Sequence, residues 1–192
     1  MPTASGDSES YIEKFLVAYS DRADASVLRL FAREIEDLRG HLLSQHLIYV
    51  GGGNTANMLA VWRLHGVDEM MREAWRAGVI LCGLSAGANC WFEDSSTDSF
   101  GATLAPLHDG LGLLAGSFCP HYDSEPQRRP SYRSAVAEGA LPPGFAADDG
   151  VALRFAGREL AEVVSERPGA VAYHVGAESE AVLVPRLLAP GG

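Results

Sequence analysis

The chain has 192 residues, of which 47% are hydrophobic and 21% charged, with a formal net charge of -10 at pH 7. That length suits one domain with a sizeable core. The acidic balance excludes a phosphate-neutralising surface, because the only adjacent basic pair is Arg128-Arg129. No nucleic-acid partner is therefore expected. No apolar run reaches the roughly 18–20 residues that span a bilayer, and the start lacks a charged-then-apolar leader pattern. No membrane partner is expected either, and the location expected is cytoplasmic. The three cysteines, Cys82, Cys90 and Cys119, show no paired spacing and make a poor disulfide framework.

In chain order, residues 1–8 are small and polar and read as a loop. Tyr11, Ile12, Phe15, Leu16 and Tyr19 recur at helical spacing from Glu9 onward. Leu28, Leu30, Phe31, Ile35 and Leu38 predict a second helix from about Ser26 to Leu38. Leu47–Val50 is a short β-prone run that ends in Gly51-Gly52-Gly53-Asn54-Thr55, and 56–64 reads as helix. Val67–Ala77 is a helix stopped by Gly78, with Met70, Met71, Ala74 and Trp75 on its inner side. Val79, Ile80, Leu81 and Cys82 then form a run of buried-strand type, in which Cys82 is a small buried side chain.

The stretch that follows, Gly83-Leu84-Ser85-Ala86-Gly87, has the form of a nucleophile elbow. A sharp strand-to-helix turn needs small neighbours, lifts the serine from the sheet and leaves it at a helix N-terminus, where unpaired N–H groups favour negative charge. A Gly-rich turn between an ordinary strand and helix has the same pattern. The Gly51–Gly53 triplet after a strand also lets backbone N–H groups approach a bound group, although a flexible connector has that composition too. Two strand–turn–helix units in succession predict a parallel, helix-covered sheet with both turns at the carboxyl ends of the strands. Gly53 and Ser85 are then expected at one crevice.

Residues 93–100 turn polar, and Asp98 fits either a surface carboxylate or a crevice wall. Leu111–Phe118 leads like a strand into Cys119-Pro120-His121-Tyr122-Asp123. Ser124–Tyr132 reads as a polar loop, Ser134–Glu138 as a short helix, and Leu141–Phe145 as a turn. After Asp148-Asp149-Gly150, three β-like segments are expected at 151–155, 160–165 and 170–175, and 182–192 reads as an edge strand and tail. Cys119, His121 and Asp123 have the residue types of a metal cluster, but no second ligand pair stands at metal spacing. Neither metal nor cofactor is expected.

The runs VGGGNT (50–55), GLSAGAN (83–89), PHYD (120–123) and DDG (148–150) together resemble the peptidase E family of serine peptidases, over residues 2–175. The resemblance implies an α/β fold, a mostly parallel sheet flanked by helices, similar to class I glutamine amidotransferase domains. Here it would form one domain over 1–192 with a strand-rich C-terminal part. It places the nucleophile on Ser85, the catalytic histidine on His121 and the acidic member on Asp149, with Asp123 and Glu125 as alternatives. The oxyanion would meet the backbone N–H groups of Ala86 and Gly53. Gly52, Asn54, Asp98 and Arg128 are candidate substrate contacts. Arg128, Arg129 and Arg133 suit a substrate carboxylate, though solvated arginines are the simpler reading.

Three departures accompany the resemblance. The best-known members resemble one another in a glutamate at the position of Asp149. The loop 122–133 is shorter than in the aspartyl dipeptidases, so strict Asp-X specificity is not expected. Family members carry one or more strands before the run at residues 2–9, where this chain begins, so either the start is assigned late or this form lacks an edge of the sheet, which would expose a strand or favour a homodimer. The expected reaction is hydrolysis of short peptides.

Other readings remain open on the same residues. An α/β-hydrolase esterase shares the Gly83-x-Ser85-x-Gly87 elbow, with His174 in place of His121 to restore the order Ser, acid, His. A non-catalytic binding or regulatory module also fits the fold. A glutaminase-like cysteine enzyme fits poorly, because a serine occupies the elbow.

Overall fold

The computed structural model describes residues 1–189. Its contacts divide into two compact units, residues 1–88 and 89 onward, and each is described by itself.

In the first unit, helices α1 (Glu9–Tyr19) and α2 (Leu38–Leu43) precede strand β1 (Leu47–Val50). Helices α3 (Thr55–His65) and α4 (Val67–Arg76) then lead to β2 (Ile80–Gly83), which pairs in parallel with β1 from Leu47 opposite Ile80 to Val50 opposite Gly83. The Asn54 side chain caps α3 by accepting the Asn57 N–H at 2.8 Å. Gly66, at φ 69°, ends α3 in the left-handed conformation that glycine adopts most cheaply. Met58, Leu59 and Trp62 of α3 and Val67, Met71 and Ala74 of α4 are fully buried. They anchor the helices that follow the strands, while Met70 and Trp75 are only half-buried.

The helix expected over 26–38 does not form. Leu28 and Leu30 are buried but Phe31 is 59% exposed, the alternation of an extended chain rather than a helical stripe. Asp7 explains why: its Oδ2 accepts the N–H groups of Leu30 at 2.7 Å and Phe31 at 2.8 Å. Those bonds replace the ones a helix would supply. The strand expected to be buried, β2, has Ile80 61% exposed and Cys82 only half-buried, because among the described residues it pairs on one side alone.

After the one-turn helix α5 (Ala86–Asn89), the second unit holds β3 (Phe92–Thr97), β4 (Ala105–Leu107), β5 (Leu114–Cys119), α6 (Arg128–Ala137), β6 (Gly144–Ala147), β7 (Val151–Ala156), β8 (Glu159–Ser165), β9 (Ala172–Val175), β10 (Glu180–Leu183) and β11 (Arg186–Leu187). Six strands form one sheet in the order β10-β9-β6-β5-β3-β4, and β11-β8-β7 form another. The central β3, β5 and β6 are parallel, whereas β4, β9 and β10 run antiparallel at the flanks. The α/β fold is as expected, with sheets that are mixed.

Three local expectations give way here. The polar stretch 93–100 contributes β3, whose Ser95, Ser96 and Thr97 are buried because β4 and β5 enclose the strand on both edges. The expected loop 124–132 turns helical at Arg128, since Pro130 falls in the first turn of α6, where its missing N–H has no intrahelical partner to lose. Tyr132 and Val136, one turn apart, pack into a core with Cys119, Tyr122, Leu141, Ala146, Tyr173 and Val175. The turn expected at 141–145 yields Gly144 and Phe145 to β6. The edge strand expected from 182 is β10, and the end of that tail, 190–192, lies outside the described residues.

Replacing Asp7 by Ala strands two N–H groups, one of them buried, and is expected to lower stability by about 2–4 kcal/mol. Asp7→Asn, which keeps an acceptor oxygen, is expected to lose less than half of that in urea unfolding.

Candidate active site

Strand β2 ends at Gly83, and the Leu84 N–H donates to the Val50 carbonyl at 3.1 Å. Ser85 then takes φ 54°, a left-handed conformation that costs a non-glycine residue about 1–2 kcal/mol. The surroundings leave the chain no other course. A Cβ on Gly83 would lie 2.0 Å from the Gly87 carbonyl oxygen, and one on Gly87 would lie 2.1 Å from that of Val50. Bonds from Gly87 N–H to Leu84 O and from Ala88 N–H to Ser85 O, both 2.9 Å, close the turn. The following helix, α5, is four residues long, too short for the developed dipole expected behind the serine. Charge stabilisation at this turn falls to individual N–H groups.

The glycine triplet lies beside Ser85. A Cβ on Gly52 would stand 3.2 Å from the Ser85 Cβ and 3.3 Å from the Tyr11 hydroxyl. That hydroxyl accepts the Gly52 N–H at 2.9 Å. Tyr11 escaped notice in the sequence because it shares the apolar spacing of α1. Gly53, at φ 136°, has no room for a Cβ either, which would meet the Ala4 carbonyl oxygen at 2.2 Å. The N–H groups of Gly53 and Ala86 have no acceptor among the described residues. Asn54 is engaged in capping α3, and its N–H donates to Ala4 O at 2.8 Å.

In the second unit, β5 and β6 are parallel neighbours with Cys119 opposite Ala146. The segments beyond their carboxyl ends therefore emerge side by side. His121 follows β5 at φ 56°, and its Nδ1 lies 2.6 Å from Oδ1 of Asp149, which follows β6. Burial works against ionisation of Asp149. Hydrogen bonds from Ser124 and His121, with the charges of His121 and Arg167, outweigh it and hold the carboxyl below its ordinary value. An ionised Asp149 accepts a hydrogen bond from Nδ1–H, leaving Nε2 as the acceptor.

The alternative acids are engaged elsewhere. Asp123 accepts the Asp149 N–H at 2.8 Å and an Arg167 N–H at 3.1 Å. Glu125 accepts from Arg128 Nε at 2.8 Å. Arg128 itself is 3% exposed rather than solvated, and the Asp98 carboxylate, more than half exposed, lies 4.0 Å from it. Arg129 donates to Glu180 and lies over the Tyr122 and Tyr173 rings. Arg133 is 4.0 Å from Glu180. His174 rests edge-on against Phe145 and has no carboxylate partner among the described residues. Burial pushes the Cys119 thiol up to about 12, which disfavours the thiolate a metal would need.

Comparison with known proteins places these features in a family. Residues 1–163 match peptidase family S51. The chain is 49% identical to the uncharacterized peptidase YgaJ of Bacillus subtilis over 176 residues, 91% of this chain and 76% of the other. It is 31% identical to peptidase E of Shewanella denitrificans over 103 residues, 53% of this chain and 44% of the other. The crystal structure of a peptidase from an acI-B1 Actinobacterium has the same fold, with a TM-score of 0.61 at 21% identity, covering 96% of this chain and 79% of that one. The chain belongs to peptidase family S51 and is a peptidase. No helix among the described residues is long and apolar enough to cross a membrane.

Two outcomes follow from this geometry. Gly87→Ala is expected to destabilise the protein by about 3 kcal/mol or more, since no flexible side chain can yield to the new methyl group, and thermal unfolding measures it. The Asp149 carboxyl lies below its ordinary value of 3.8, so its stabilising effect is complete above that pH and is lost as pH falls through the lower, folded-state value. The stability gap between wild type and Asp149→Asn is expected to be flat near neutrality and to close in denaturant titrations below about pH 4.

Proposed function

We propose that the protein is a serine peptidase of short peptides in which Ser85 is the nucleophile, His121 the general base and Asp149 the orienting acid. The observation that carries this reading is the 2.6 Å bond between His121 Nδ1 and Asp149 Oδ1. It gives His121, and not His174, the acidic partner that fixes a base's tautomer; His108 has a like bond to Asp94 at 2.6 Å, but its side chain is 61% exposed. Support at the other end comes from Ser85, which takes a left-handed conformation between two glycines that have no room for a Cβ.

In the proposed reaction His121 Nε2 takes the Ser85 hydroxyl proton as Oγ attacks the peptide carbonyl carbon. The N–H groups of Gly53 and Ala86 stabilise the tetrahedral oxyanion, a contribution of about 3 kcal/mol per donor. The proton passes to the leaving amine as the C–N bond breaks. Water, deprotonated by the same imidazole, then hydrolyses the Ser85 ester. Asp149 remains ionised throughout and stabilises the imidazolium. Substrates are small peptides without a strict requirement for an N-terminal aspartate, because Arg128 is already paired with Glu125.

Hydrolysis of a dipeptide and tripeptide panel that includes Asp-X members tests this directly. Ser85→Ala and His121→Ala are each expected to lower kcat by about 10^4-fold or more, while His174→Ala stays near wild type. Loss confined to His174→Ala would favour the esterase arrangement. No cleavage by folded wild type would favour a binding module.

A further inference from the structure

We propose that Asp123 and Arg167 form a positioning clamp that holds the Asp149 backbone so that its carboxylate meets His121; its bearing on catalysis rests on the function proposed above. An aspartate has a single methylene between backbone and carboxyl, so its carboxyl goes where the backbone is held. Here both ends of the pair are tied. Asp123 stands two residues after His121, and its Oδ1 accepts the Asp149 N–H at 2.8 Å. The loop from His121 through the Asp149 carboxylate and backbone to Asp123 is thereby closed by hydrogen bonds.

Arg167 adds the second jaw. One guanidinium nitrogen donates to the Asp149 carbonyl at 2.9 Å and another to Asp123 Oδ2 at 3.1 Å. The arginine is itself fixed: its N–H donates to Ser165 Oγ at 3.0 Å, and that hydroxyl donates to the Arg167 carbonyl at 2.8 Å. Its aliphatic stem passes over Gly150, where φ is 78° and a Cβ would stand 2.9 Å from Arg167 Cδ. The glycine after Asp149 is favoured by its left-handed conformation, and the arginine stem lies against it.

A surface ion pair offers a plainer reading, and Arg167 is half exposed. Exposed pairs contribute little, about 0–1 kcal/mol. Three of the contacts, however, converge on the backbone N–H and C=O of Asp149 and on the carboxylate that links them. The arrangement orients one residue, and the directional bonds matter more than the charge. Asp123 and Arg167 are positioning residues, acting through Asp149.

The test compares Asp123→Ala, Asp123→Asn and Arg167→Met in the full chain by two readouts. The first is the low-field NMR resonance of the His121 Nδ1 proton, which requires no turnover. The second is kcat and KM on a cleaved peptide. Asp123→Ala is expected to broaden or lose the resonance and to lower kcat about 10- to 100-fold with little change in KM, as displacement of a catalytic group by ~1 Å does. Asp123→Asn retains an oxygen for the Asp149 N–H and is expected to keep the resonance and most of kcat, with Arg167→Met between the two. An unchanged resonance and kcat in Asp123→Ala would overturn the clamp, as would an Asp123→Asn loss as deep as that of Ala. Should Asp123→Ala not fold, the other two variants decide, and equal behaviour of both overturns the clamp. If no peptide is cleaved, the peptidase reading fails while the resonance still judges the clamp.

Discussion

The absence of room for a Cβ between two turns fixes the backbone around Ser85. Gly83 faces the Gly87 carbonyl and Gly87 faces that of Val50, each at a separation that only a hydrogen can occupy. Because β1 and β2 are parallel and adjacent, the turns after both strands open at the same edge. The crowding there has two consequences. Ser85 is held in a conformation it would not choose alone, and the Gly52 backbone lies in van der Waals reach of the serine. Trp62, Met58 and Met71 of the neighbouring α3 and α4 are fully buried.

The pairing of His121 with Asp149 follows the same topological rule by different means. Parallel β5 and β6 deliver His121 and Asp149 to one edge, and electrostatics rather than steric crowding completes the arrangement. Partial burial alone would push the Asp149 carboxyl up. Its hydrogen bonds and the nearby positive charges reverse that preference, so the carboxylate can specify which imidazole nitrogen carries the proton. The thiols beside this site take the opposite course. Cys119 is buried without a compensating charge strong enough to offset desolvation, and its thiol stays protonated.

Sequence patterns revealed the elements whose local chemistry and tertiary setting agree. The α3 and α4 helices carry their own caps and stops, and β1 and β2 end in glycines whose conformations the fold uses. Resemblance pointed to His121 and Asp149, and the side-chain geometry pairs His121 with Asp149 rather than Asp123. Elsewhere, distant partners override the local pattern. Leu28 and Leu30 suit a helix until Asp7, 23 residues upstream of Leu30, captures two N–H groups. Residues 95–97 lie in a polar stretch, yet two flanking strands enclose them and their small hydroxyl-bearing side chains are buried. Arg128 looks solvated until Glu125, three residues away on the approach to α6, receives it. Tyr11 shows the limit most clearly, because nothing in a helical apolar stripe signals a hydroxyl aimed at a glycine 41 residues away.

That tyrosine also bears on which backbone donor can face a reacting oxygen. Gly53 is an exposed residue, so an N–H there without a protein acceptor is open to water or to a bound group. Gly51 N–H donates to Met1 O and Asn54 N–H to Ala4 O, while Gly52 N–H is taken by the Tyr11 hydroxyl. In this run, among the described residues, the Gly53 N–H alone lacks an acceptor. The bonds on either side fix the peptide that carries it, and Ala4 blocks any Cβ that would turn Gly53 into a bulkier residue. A donor fixed on both sides and unengaged needs little reorganisation when charge develops nearby. This distribution of bonds favours Gly53 over its neighbours as the partner of Ala86 in the proposed oxyanion site, and it explains why three glycines stand together although only one would serve the reaction.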